Sequence, residues 1–161
     1  MNGTYRIVVG IDGTEGSVRA LRWAAREAEV RGGTVQAITV WAWDGTGTLA
    51  PAASTPAEER ARAEQILTAA VTKVANECPG VSFATDVIED HAARALTHAA
   101  RDADLLVLGS HGHSRLHHAV LGSISEECVR QATCPVVVLP ALQPQATAKA
   151  AAAKSEAVVA R

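Results

Sequence analysis

Asp104-Leu105-Leu106-Val107-Leu108-Gly109 is the stretch on which the fold turns. A nearly continuous apolar run closed by glycine has no polar side to offer water. It reads as a strand inside a sheet that is covered on both faces. Working outward from it, the chain alternates strand and helix. Upstream, Asp90 can cap a short helix through Arg101, with Ala92, Ala95, Leu96 and Ala99 inward. Val81–Ile88 alternates strictly, Val81, Phe83 and Val87 on one side and Ser82 and Asp86 on the other, as a half-exposed edge strand does. Further back, Thr55-Pro56-Ala57-Glu58 combines a capping hydroxyl, a proline at the first helical position and a glutamate three residues past the cap. From there Ala63, Ile66, Leu67, Ala70, Val71 and Val74 keep helical spacing up to the stop at Pro79-Gly80. Thr34–Trp41 and Tyr5–Gly10 read as strands, and Asp44–Thr55 as a mobile loop. Between those strands a helix runs from beyond Asp12-Gly13-Thr14 to about Arg31. It carries Val18, Leu21, Ala25 and Ala28 on one face and stops at Gly32-Gly33.

Downstream, a helix starts near Ser123 and ends near Thr133, and Pro135-Val136-Val137-Val138-Leu139 forms a last strand closed by Pro140. Five strands separated by four helical crossovers imply an α/β fold, a doubly wound parallel sheet with helices on both faces. Its expected order is 3-2-1-4-5, the flavodoxin/Rossmann-like arrangement. With strand one central and strand four beside it, the crevice where such sheets bind ligands falls between Gly10–Asp12 and Gly109–Gly112. Residues 1–140 form the domain. Residues 141–161 are mostly alanine with Gln, Lys and Thr, a tail expected to be poorly ordered.

The 161 residues suit one such domain, and 20% charged residues with a net charge of -2 leave no basic run for a nucleic-acid surface. Aromatics are only 3% and alanine is abundant, which suits helices lying close on a sheet. Cys78, Cys128 and Cys134 form no C-x-x-C pair, and an odd number suggests reduced thiols in a cytoplasm. Met1 leads straight into a strand without the segments of a signal peptide, and no stretch approaches the apolar length that crosses a bilayer. The expected location is cytoplasmic, with no membrane partner.

The residues from Gly109 to Ser125 carry the chemistry. Gly109 ends a buried strand without a Cβ, so a ligand can approach its backbone. Gly112 permits a positive-φ turn that aims successive amides at one anion. Gly122 and Ser123 open a helix whose first amides lack intrahelical partners, and a phosphate there meets those amides and the positive end of the dipole. The hydroxyls of Ser123 and Ser125 can add donors. The dipole contributes only roughly 0.3–1 kcal/mol, whereas micromolar affinity requires about 8 kcal/mol, so several amides and purine burial must act together. A second reading stays open: Ser123-Ile124-Ser125-Glu126 is also a capping box, which satisfies orphan amides with no ligand.

The chain resembles the universal stress protein family, specifically its ATP-binding branch, over roughly Tyr5 to Pro140. That branch carries G-x2-G-x9-G-[ST] after its fourth strand, matched here by Gly109, Gly112, Gly122 and Ser123. Val9-Gly10-Ile11-Asp12-Gly13-Thr14 with Ser17 resembles the family's first strand and turn, and Cys134-Pro135-Val136-Val137-Val138 its fifth strand. The resemblance implies an ATP-binding regulatory protein of the stress response, a binding module with at most slow hydrolysis. By position, Asp12 would lie near the ribose or a phosphate-bound metal such as magnesium. Ile11 would lie against the nucleoside, and Val40 would offer backbone groups to the adenine edge. Gly109, His111, Gly112, His113, Gly122, Ser123, Ile124 and Ser125 would surround phosphates and ribose. Asp12-Gly13-Thr14-Glu15 also fits a capping box, so Asp12 keeps a purely structural alternative. Where many relatives carry small residues, this chain has His113, Arg115, His117 and His118, which could crowd the triphosphate or pair with it.

Competing readings remain at this stage. Four of the six histidines fall within His111–His118, and imidazoles suit transition metals, but the cluster contains no cysteine or carboxylate and lacks structural-zinc spacing. No G-x-x-x-x-G-K-[ST] loop or G-x-S-x-G elbow occurs, and no residue stands out as a general base, so no catalytic residue is assigned. Cyclic AMP is an alternative ligand, and a nucleotide-free structural or partner-binding dimer an alternative role. The last strand has apolar residues facing both ways at a sheet edge, which invites pairing with a second copy. Members of the family dimerise through that strand, so the resemblance implies a homodimer through Pro135–Leu139.

Overall fold

The computed structural model describes residues 4–43, 54–110 and 121–140. Most of the loop expected at Asp44–Thr55, the histidine-rich segment with Gly112, and the tail from 141 to 161 lie outside the described residues. The elements are β1 (Arg6–Gly10), α1 (Glu15–Arg31), β2 (Thr34–Trp41), α2 (Pro56–Glu77), β3 (Ser82–Glu89), α3 (Ala92–Ala99), β4 (Leu105–Gly109), α4 (Ser123–Gln131) and β5 (Val136–Leu139). The five strands form one parallel sheet in the order β3-β2-β1-β4-β5, the doubly wound arrangement expected from the alternation of elements.

Period-two alternation sorts the core into two layers. Ile7, Val9, Val35, Ala37 and Val107 point to the face covered by α1 and α2, where Leu21, Ala24, Ala28, Leu67 and Val74 meet them. Val8, Ile38, Leu106 and Leu108 point to the face covered by α3 and α4, against Leu96, Ala100 and Cys128. All four apolar side chains of β4 are buried, the outcome expected of a strand without a polar face. Truncating a fully buried Ile38 or Leu106 to alanine in such a core costs about 2–5 kcal/mol. The three cysteines are free thiols, and burial pushes Cys128 up to about 11, so it is an inert packing group.

The caps explain where helices begin. Thr55 and Glu58 form the expected reciprocal capping box, with Pro56 opening α2. The Thr55 N–H donates to Glu58 at 2.7 Å, and that bond holds the glutamate below its usual carboxylate range. Gly32 ends α1 at φ +64, a conformation that favours glycine. Three caps differ from expectation. His91 precedes α3, not Asp90, whose carboxylate instead accepts from the His91 N–H and from Arg94. The helix ends at Ala99 rather than Arg101, and Ala93 joins the expected Ala95 and Leu96 on the buried face while Ala92 is half-buried. Thr14 caps α1 in place of Asp12, and Gly122 caps α4 in place of Ser123.

β3 is the expected edge, with Ser82 and Asp86 exposed while Phe83 and Val87 pack on the α1–α2 layer. β5 is the opposite edge, and all four of its residues are half-buried. No helix among the described residues is long and apolar enough to cross a membrane.

Candidate functional site

In a parallel sheet every strand ends on the same side, and the crossovers begin there. Three strand ends matter for the crevice: β1, its neighbour β4 and its other neighbour β2.

The β4 end is built by long-range bonds. A Cβ on Gly109 would stand 3.0 Å from the Gly16 carbonyl carbon, so backbone of the first turn of α1 already fills that space. The missing side chain at Gly109 therefore lets α1 pack closely, a reason for this glycine that its position at a strand end does not itself show. Its carbonyl accepts the Ser125 hydroxyl at 2.8 Å. The Ser110 N–H donates to Leu139 at 2.8 Å, and the Ser110 carbonyl accepts the Gly122 N–H at 2.7 Å. The strand end and the start of α4 are thus stitched together at two points.

That stitching aims the helix terminus. Gly122, at φ -61 and ψ 152, offers no side chain to cap with, and no side-chain cap is present among the described residues. The first intrahelical bond runs from the Glu126 N–H to the Gly122 carbonyl at 2.9 Å. The amides of Ser123, Ile124 and Ser125 come before it and have no helical acceptor. Ser123 and Ile124 are exposed. The capping-box alternative for these residues fails, since Ser123 is the first helical residue and not the cap. The Ser125 hydroxyl serves Gly109 and is buried, so Ser125 offers its amide rather than the additional hydroxyl donor expected.

At the β1 end, Ile11 leaves the strand with its N–H on the Ile38 carbonyl at 2.8 Å and its side chain buried in the core beneath the crevice. Asp12 then folds onto the turn. Its Oδ1 accepts from the Thr14 N–H at 2.9 Å and the Thr14 hydroxyl at 2.6 Å, while Gly13 takes φ +83. Thr14 in turn accepts the Ser17 N–H at 3.2 Å, so Asp12 steadies the cap of α1 through Thr14.

The β2 end contains the feature that register alone reveals. The Thr34 N–H bonds the Tyr5 carbonyl and the Ile11 N–H bonds the Ile38 carbonyl, so even-numbered peptide groups of β2 face β1. The Asp90 N–H bonds the Trp41 carbonyl, so odd-numbered ones face β3. Gly10, the last residue of β1, stands opposite Ile38. Val40 thus turns its N–H and C=O toward a ladder position that β1 has left, one donor and one acceptor side by side. One residue earlier, the Thr39 hydroxyl is buried with no hydrogen-bond partner among the described residues.

The structure therefore brings Ile11, Asp12, Val40, Gly109, Gly122, Ser123, Ile124 and Ser125 to one end of the sheet. His111, Gly112 and His113 lie outside the described residues. The ends of β2 and β4, which carry Val40 and the bonds that hold α4, are separated by two strand spacings, about 10 Å. No group of three His, Cys, Asp or Glu among the described residues could hold a metal ion. Gly16, Thr14 and Thr39 escaped the sequence reading. Gly16 sits in a local Gly-Thr-Glu-Gly-Ser run that marks a close backbone approach, whereas nothing local marks Thr39.

Residues 4–140 match the universal stress protein family. A universal stress protein of Mycolicibacterium smegmatis is 30% identical over 140 residues, covering 84% of this chain and 48% of that protein. The chain thus spans about half the length of the curated relatives it matches. Among solved structures, a universal stress protein in complex with cAMP superposes with a TM-score of 0.65 at 23% identity, covering 86% of this chain and 98% of the other. The universal stress protein from Archaeoglobus fulgidus in complex with dAMP superposes with a TM-score of 0.63 at 23% identity, with the same coverage of 86% and 98%. The match over residues 4–140, with this strand order and these strand ends, makes the chain a member of the universal stress protein family.

Proposed function

We propose that this chain is an adenine-nucleotide-binding regulatory protein of the cytoplasm, with ATP as its ligand, and that binding rather than turnover is its function. The observation that carries the reading is the pairing of open main-chain groups at one end of the sheet. The uncapped amides of Ser123–Ser125 suit phosphates, and the N–H and C=O of Val40 suit a base edge that presents one acceptor and one donor, as adenine does. The two strand spacings between the ends of β2 and β4 accommodate a ribose. Structural relatives solved with cAMP and with dAMP support an adenine nucleotide as the ligand class.

Gly109, His111, Gly112, His113 and Gly122 complete the proposed cradle, and Ile11 forms its floor. Magnesium would arrive on the nucleotide's phosphates, with Asp12 the nearby carboxylate of the crevice. Cyclic AMP is the competing ligand, and the complex of the structural relative favours keeping it in the test. A ligand changes the behaviour of such a protein only by preferring one conformation or complex over another. A homodimer through Pro135–Leu139 fits this picture. The half-buried edge of β5 offers unpaired peptide groups, and relatives of about twice the length leave room for two such units.

The test compares native protein with Gly122→Glu, by quantifying copurified nucleotide and by calorimetry with ATP and with cAMP. The backbone of Gly122 is ordinary for any residue, so the variant folds, and its carboxylate occupies the helix terminus. The expected result is an ATP affinity reduced by about 100-fold or more, since several charge-assisted bonds are lost together. Native protein that binds neither nucleotide overturns the reading. Tighter binding of cAMP than ATP replaces the ligand and keeps the site.

A further inference from the structure

The geometry points to Trp43 as the stacking platform for the nucleobase, an inference that rests on the nucleotide reading above and deepens it. A base whose edge satisfies Val40 occupies the ladder position vacated by β1, so its edge lies in the plane of the sheet. Its two π faces must then turn toward the two faces of the sheet, where the helices lie. A side chain standing beside the carboxyl end of β2 is placed to cover one of them.

Trp43 stands there. It follows the end of β2 by two residues and remains 43% exposed. Its indole N–H is directed to the Ser54 carbonyl at 3.4 Å, a long bond that still ties the ring to the residue preceding the α2 cap. Leu67 and Val74 of α2 pack on one face of the sheet, and the tether joins the indole to the start of that helix. An indole that keeps its N–H on a fixed carbonyl retains a free π face. The other large apolar side chains left exposed around the crevice, Leu121 and Ile124, flank the α4 amides at the phosphate end. Apolar surface is thus left uncovered at both ends of the proposed ligand, and none of it packs in the core.

Stacking does not read hydrogen-bond patterns, because every base has a π face. Trp43 would therefore set affinity for a base as such, while Val40 sets which base. Calorimetry on the full chain with two probes, ATP and inorganic triphosphate, separates the two ends of the site. For Trp43→Ala the expected result is ATP affinity lower by about 10- to 100-fold, with triphosphate affinity unchanged. Trp43→Phe, which keeps an aromatic face, should hold ATP within about threefold of native. Tryptophan emission should be quenched by ATP in native protein and less so in Trp43→Phe, where Trp23 and Trp41 remain. Native protein binding ATP while Trp43→Ala binds it equally well overturns the stacking role and leaves the nucleotide reading standing. Native protein that binds triphosphate but not ATP overturns both.

Discussion

The two ends of the same sheet are finished in opposite ways. At the amino end the polar groups are paired. The Arg6 N–H donates to Asp104 at 2.8 Å, and its guanidinium reaches Gln36 at 2.9 Å and the Ala99 carbonyl at the end of α3 at 2.8 Å. Thr34 and Asp104 return bonds to the Tyr5 and Arg6 carbonyls. Gly33 packs so close that a Cβ there would fall 2.3 Å from the Tyr5 carbonyl oxygen. At the carboxyl end Val40 faces a vacated ladder position, and among the described residues α4 has no side-chain cap and the buried Thr39 hydroxyl no partner. Unmade bonds of this kind cost stability, about 1–3 kcal/mol for a buried group. Concentrated at one end, they mark where stability has been given up for binding.

The sharpest way to break this contrast is at the closed end. Gly33→Ala forces a methyl into backbone, and denaturation should show a loss of about 3 kcal/mol. Arg6→Met removes the charged donor from Gln36 and Ala99 and should cost about 2 kcal/mol in the same assay. Nucleotide affinity of the folded fraction should stay at the native value in both. A loss of affinity without a loss of stability would mean that the two ends are not separate in function. At the open end the sign reverses. Thr39→Val deletes an unpartnered hydroxyl from an apolar site and should raise stability by about 1 kcal/mol. A destabilised Thr39→Val would show that this hydroxyl does have a partner in solution.

The smallest effect lies on the surface between the ends. Arg22 bonds Glu77 at 2.5 and 2.8 Å, linking α1 to α2, and the guanidinium holds the glutamate below its usual range. A carboxylate depressed in the folded state contributes stability above its unfolded value near 4.3, and loses it as pH falls through the lower folded value. Native protein should therefore lose slightly more stability than Glu77→Gln between pH 5 and pH 3. Glu77 is exposed and Arg22 half-buried, so salt should shrink the difference.

Local chemistry made most of the fold legible in the sequence. The apolar run of β4, the Thr55-Pro56-Glu58 cap and the Gly32-Gly33 stop each act within a few residues, and each element stands where they indicate. Two caps were not legible: Asp12 and Thr14 both carry a capping oxygen, and Asp90 is the better cap by residue type although His91 takes the position without a side-chain bond. The site was legible in outline and not in its reasons. The bond from Ser125 to Gly109 and the contact of Gly109 with Gly16 join segments that no local signal connects. Val40 came only from resemblance. Its physical basis requires knowing how far β1 runs relative to β2, a matter of register that tertiary structure alone decides.

The bond between the Ser110 carbonyl and the Gly122 N–H makes the backbone depart and return at nearly one point. Ser110 and Gly122 thereby act as a single fixed port, through which the backbone leaves β4 and enters α4. The frame is set by these two residues and not by the number of residues between them, since a doubling of any such connection adds only about 0.6 kcal/mol of closure entropy.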